Sequence, residues 1–131
     1  MATEGVVYLS FPEAVLIHIV LMRSLGETRY GVFDRSLIES ALARPRQVAT
    51  YGQADVHAQA ASLLFGLIKN HPWVGGNKRT ATALTQIFLR RNGYRIVATL
   101  NEVLELVHAV ENDRWLTDEI ESWLREHTTK L

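Results

Sequence analysis

No cysteine occurs among the 131 residues, which excludes disulfides, thiolate metal sites and a cysteine nucleophile. Nor does one sign of charge prevail. Lys+Arg and Asp+Glu both number 14, so no global positive field draws the chain to nucleic acid or to an anionic lipid surface. No stretch approaches the roughly 18 apolar residues of a membrane span. The start, MATEGVVYLS, lacks the basic region and long apolar run of a secretion signal. Repeats, linkers and low-complexity tracts are missing too, and no His-x-x-x-His pair supports a zinc site. What remains is a chain with 47% hydrophobic residues, long enough to bury one core. The expectation is a single domain over 1–131, cytoplasmic, binding neither nucleic acid directly nor membrane.

Helical signals dominate. Val6 to Leu9 is a short apolar run that could form an isolated strand. Ser10 and Glu13 make a capping box, Pro12 sits in the first turn, and apolar residues from Val15 to Met22 carry a helix to a stop near Gly26. Asp34 caps a second helix with Leu37, Ile38, Ala41 and Leu42 on one face, ending before Pro45. From Arg44 to Gly52 the chain has no helical period and reads as a loop or short hairpin. Val56 to Asn70 is apolar nearly all round and belongs at the centre. Lys78 to Asn92 carries Ala81, Leu84, Ile87 and Phe88 at helical spacing and closes with Arg90, Arg91 and Gly93. Asn101 and Thr117 are the expected caps of two last helices, one through Val103, Leu106, Val107 and Val110, the other through Ile120, Trp123 and Leu124. The sum is an all-α, compact bundle of about six helices with a short flap or hairpin.

The segment His71 to Ala81, HPWVGGNKRTA, concentrates the chemistry. Gly75 and Gly76 let the backbone take up positive φ and approach a ligand closely, so N–H groups from Gly76 to Arg79 can converge on an anion. The helix that follows adds its positive end. Asn77 can donate a side-chain N–H to a phosphoryl oxygen, Lys78 and Arg79 add point and forked positive charge, and His71 supplies a base beside this cradle. Cations at a helix start oppose the helix dipole, a local conflict that an anionic ligand would remove. Pro72 ends the preceding helix and Trp73 anchors the loop to the core. His18, His57, His108 and His127 read as packing or surface residues, Trp115 and Trp123 as core. Tyr30, Phe33 and Tyr51 are candidates for the mouth of the site.

HPWVGGNKRTA also resembles the signature of the Fic/Doc family, H-x-F-x-[D/E/N]-[G/A]-N-[K/G]-R. It is closer to the Doc branch, the death-on-curing toxins, because Lys78 stands where Fic proteins carry a second glycine. The runs ALARPRQVATYG, ASLLFGLIKNHPW and FLRRNGYRI are similar to Doc-like toxins as well, so the likeness extends from Phe11 onward. The resemblance implies His71, Lys78 and Arg79 as catalytic residues, and Gly75, Gly76, Asn77, Lys78 and Arg79 as the nucleotide phosphate site. It implies ATP as substrate, kinase-like transfer of its γ-phosphate to a hydroxyl of a translation protein such as elongation factor Tu, and a Phd-type antitoxin as partner. AMP transfer of the Fic type and a catalytically dead antitoxin-binding module are the alternatives. Arg46 to Tyr51 would form a flap beside the site, or else a plain connector. One position departs from the pattern. Where the family carries an acidic residue for the expected Mg²⁺, this chain has Gly75, which offers no ligand to a hard cation. No metal ligand is therefore assigned, Asp55 being one carboxylate that could reach the site instead, and a severely slowed enzyme is expected.

Overall fold

Ser10 accepts the N–H of Glu13 while the Glu13 carboxylate accepts the N–H of Ser10, and this reciprocal cap starts α1 (Phe11–Ser24). The computed structural model describes residues 5–131 and shows the expected six helices. After α1 come α2 (Arg35–Gly52), α3 (Val56–Asn70), α4 (Asn77–Arg91), α5 (Leu100–Glu111) and α6 (Thr117–Glu126). Asp34 and Asp55 cap α2 and α3 through their side chains. The cap of α5 is Thr99, boxed with Glu102, rather than Asn101, which lies inside the helix. For α6 the Glu119 carboxylate accepts the N–H of Leu116 at 2.7 Å, so Thr117 begins the helix without capping it.

The apolar helix α3 occupies the centre and touches α2, α4, α5 and α6. Its Ala60, Leu63, Leu64, Leu67 and Ile68 are buried together with Ile38, Leu84, Phe88, Val110, Ile120 and Leu124. At Gly66 the α3 backbone packs directly against Ala41 and Arg44 of α2. A Cβ there would stand 2.5 Å from Cδ of Arg44, whose Nε donates to the carbonyl of Ser62 at 3.1 Å and whose guanidinium lies over the Phe65 ring.

Three expectations need correction here. The helix expected to end before Pro45 runs on to Gly52. A proline inside a helix removes one backbone bond and costs about 3 kcal/mol, but burial of Pro45 and Ala49 opposes that cost and tertiary packing overrides local propensity. Arg46 to Tyr51 therefore form neither a flap nor a connector. Arg46 lies over the Tyr8 ring, and Tyr51 is exposed near the helix end. Lastly, Val6 to Leu9 is not a strand. The side chain of Asn92 replaces a partner strand, accepting from Val7 N at 2.8 Å and donating to Val7 O at 3.0 Å. Strand pairing occurs instead between β1 (Tyr94–Ile96) and β2 (Thr128–Lys130), antiparallel with Tyr94 opposite Lys130.

Candidate active site

The α3–α4 junction is built backwards from its anchor. Trp73 is buried, 2% exposed, and stacks on the His18 ring with centroids 4.2 Å apart. Asn77, the first residue of α4, grips the Trp73 backbone from both sides. Its Oδ1 accepts from Trp73 N and its Nδ2 donates to Trp73 O, each at 3.0 Å. One expected phosphate donor thus serves as the clamp of the loop, with its second Nδ2 hydrogen left for a ligand.

A second loop closes on this one. Val32 and Trp73 form an antiparallel bridge, Val74 N donates to Gly31 O, and Phe33 N and Asp34 N both donate to Pro72 O. The segment edging the site is therefore residues 25–34, between α1 and α2, and not the Arg46–Tyr51 stretch. His18 ties the assembly to α1. It is fully buried, accepts the Gly31 N–H at Nε2 (2.9 Å) and meets Thr80 Oγ1 of α4 through Nδ1 (2.8 Å). Accepting at Nε2 requires the neutral ring with its proton on Nδ1. Burial holds its pKa down to about 4.

His71 caps the end of α3 in the left-handed region, φ 48° and ψ 54°. That conformation is costly for a residue with a side chain and gathers at functional sites. Its side chain is 60% exposed, with Nε2 at 4.0 Å from Glu111 Oε2. Gly76 also takes positive φ, +66°. Gly75 does not, contrary to expectation, and its smallness has a different cause: a Cβ there would stand 2.8 Å from the carbonyl oxygen of Arg29.

No side chain caps α4, and the first intrahelical bond of this turn is Thr80 N to Gly76 O at 2.8 Å. The N–H groups of Asn77, Lys78 and Arg79 are thus left for a ligand by helix geometry. They open on a cleft of about 410 Å³ lined by His71, Gly75, Gly76, Asn77, Lys78 and Arg79, with Arg29, Glu27 and Glu111 opposite, a size suited to a small phosphorylated molecule. All six predicted site residues come together. Tyr30, Phe33 and Tyr51 do not line it. Tyr30 instead accepts from Arg23 and packs on His18. Arg29, Glu27 and Glu111 escaped sequence reasoning, since they come from a loop and a helix end that carry no local motif.

The donors present do not fit a resident divalent cation. Gly75 offers no side chain, Glu111 is engaged by Lys78 at 3.3 Å and Glu27 by Arg79 at 3.9 Å. Asp55 caps the opposite end of α3 and pairs with Arg125, about 24 Å from His71 at 1.5 Å of rise per residue. Among the described residues no three His, Asp or Glu side chains cluster as a metal site would require, and none of the helices is long and apolar enough to cross a membrane.

The profile of the Fic/DOC family matches residues 8–89. Over 71 residues the chain is 44% identical to Toxin Doc of Mycolicibacterium smegmatis (strain ATCC 700084 / mc(2)155), a match covering 51% of this chain and 53% of that protein. The matched stretch thus spans about half the length of that curated relative.

Proposed function

The chain belongs to the Fic/DOC family, and on that premise we propose that it is the toxin of a toxin–antitoxin pair that transfers the γ-phosphate of ATP to a hydroxyl of a translation protein, elongation factor Tu by resemblance. The observation that carries this reading is the uncapped start of α4 facing one cleft with His71, Lys78 and Arg79. Main-chain N–H groups and two cations would hold the triphosphate. His71 would take the proton of the target hydroxyl as its oxygen attacks the γ-phosphorus. The bond from that phosphorus to the bridging oxygen breaks, ADP leaves, and the exposed ring returns the proton to solvent. Such a base contributes on the order of 10² to 10⁴ in rate. Lys78 fills space that a glycine would leave open, which favours presentation of the terminal phosphorus over the α-phosphorus. With Gly75 in place of a carboxylate, turnover is slow.

A partner surface adjoins the cleft. An apolar groove lined by Leu21, Leu25, Leu100, Val103 and Leu104 runs beside Lys78 and Arg79. It suits the helix of a Phd-type antitoxin segment that folds as it binds, and a helix lying there would block access to the cleft.

Incubation with bacterial lysate and ATP labelled at either phosphorus tests the reading. γ-Label on a protein, lost in His71→Ala, is expected. α-Label would replace it with AMP transfer. Neither label, with nucleotide binding intact, would leave a non-catalytic antitoxin-binding module.

A further inference from the structure

Three full cations and two carboxylates line the cleft: Arg29, Lys78 and Arg79 against Glu27 and Glu111. Lys78 is engaged by Glu111 and Arg79 by Glu27. Arg29 has no carboxylate partner among the described residues. Its place depends on its own backbone, because its carbonyl oxygen rests against Gly75 so closely that a Cβ could not fit between them. The bonds of Val74 N to Gly31 O and of Phe33 N and Asp34 N to Pro72 O fix the two loops in that relation. The missing side chain at position 75 therefore does two things. It removes the one acidic donor the motif loop could offer, and it admits the loop that carries Arg29.

We infer that Arg29 supplies positive charge in place of a divalent cation held by the motif loop, so that nucleotide phosphates bind in this cleft without metal. A guanidinium can give two parallel N–H bonds to phosphate oxygens and stays charged throughout the working pH range. Lacking a carboxylate partner, it has no ion pair to break before it meets the ligand. The inference rests on the nucleotide reading of the cleft given above.

Calorimetric titration with ATP, in Mg²⁺ and in EDTA, tests it without any turnover. The wild type should bind with affinities within about threefold of each other in the two buffers, and Arg29→Met should weaken both by about tenfold, the loss of one charged hydrogen-bonding group. Arg29 is exposed, so thermal melting of the variant should match the wild type. Gly75→Ala adds only the Cβ that meets the Arg29 carbonyl, and should weaken binding in EDTA by a similar factor. Binding that needs Mg²⁺ overturns the inference, and so does metal-free binding indifferent to Arg29→Met. If ATP binds in neither buffer, the nucleotide reading itself falls, an outcome distinct from both.

Discussion

Replacement of His18 by Gln should flatten the acid side of the stability curve. In the folded chain the ring is buried and neutral, with its pKa lowered from 6.5 to about 4, whereas the unfolded chain takes up a proton near 6.5. The unfolded state thus binds more protons below that value. The stabilisation is complete above pH 6.5 and drains away as the pH falls toward 4. At pH 5 the difference in proton binding amounts to about 2 kcal/mol by linkage. With an unfolding entropy of roughly 2.1 cal/mol/K per residue over 131 residues, that is a loss of about 7 °C in Tm between pH 7 and pH 5. Gln at position 18 does not titrate, so its own loss over this interval should be smaller by that amount. His57, whose pKa is also lowered by burial, is present in both proteins and cancels. Glu13, Asp34 and Glu102, held low by the hydrogen bonds they accept, act mainly at lower pH. Scanning calorimetry of both proteins at the two pH values gives the answer. Parallel curves would refute the claim that His18 must be neutral to accept the Gly31 N–H.

Other consequences concern the anchors of the site and the fold. Trp73→Ala should cost about 3–5 kcal/mol by cavity formation and abolish ATP binding. Trp73→Phe should cost under about 1.5 kcal/mol in chemical denaturation, because it also removes an indole N–H that is buried without a hydrogen-bond partner among the described residues. Asn92→Ala should speed hydrogen exchange at Val7 by roughly 5- to 100-fold, since the side-chain bonds that fix this segment disappear. Unchanged exchange would show that the apolar contacts of Val6 and Tyr8 suffice. Arg125→Met should change stability by less than about 1 kcal/mol despite its contacts with Asp55 and Glu121, because the pairs are solvent-exposed.

Much of the helical frame was legible because capping and periodicity are local signals. Ser10 with Glu13, Asp34, and the all-round apolar helix from Val56 to Asn70 state their roles within a few residues of themselves. Pro45 misled for the same reason. The local rule ends a helix there, while the decision was made by packing against a distant one. The cradle was readable as a set of residue types, yet its geometry was not. Gly75 looked like a conformational glycine, but its smallness is set by the carbonyl of Arg29, 46 positions earlier in sequence. Asn77 reads as a ligand donor, and nothing local to it announces that it also clamps the Trp73 backbone. Glu111 and Glu27 reach the cleft from α5 and the α1–α2 loop, at separations over which sequence pattern carries no information.

Amide chemical shifts during titration with ATP examine the central claim most directly, that the first N–H groups of α4 hold phosphate beside the imidazole of His71. Shifts concentrated at Gly76, Asn77, Lys78 and Arg79, accompanied by the His71 ring signals, are predicted. Shifts confined to other faces of the bundle, or none at saturating nucleotide, would contradict it.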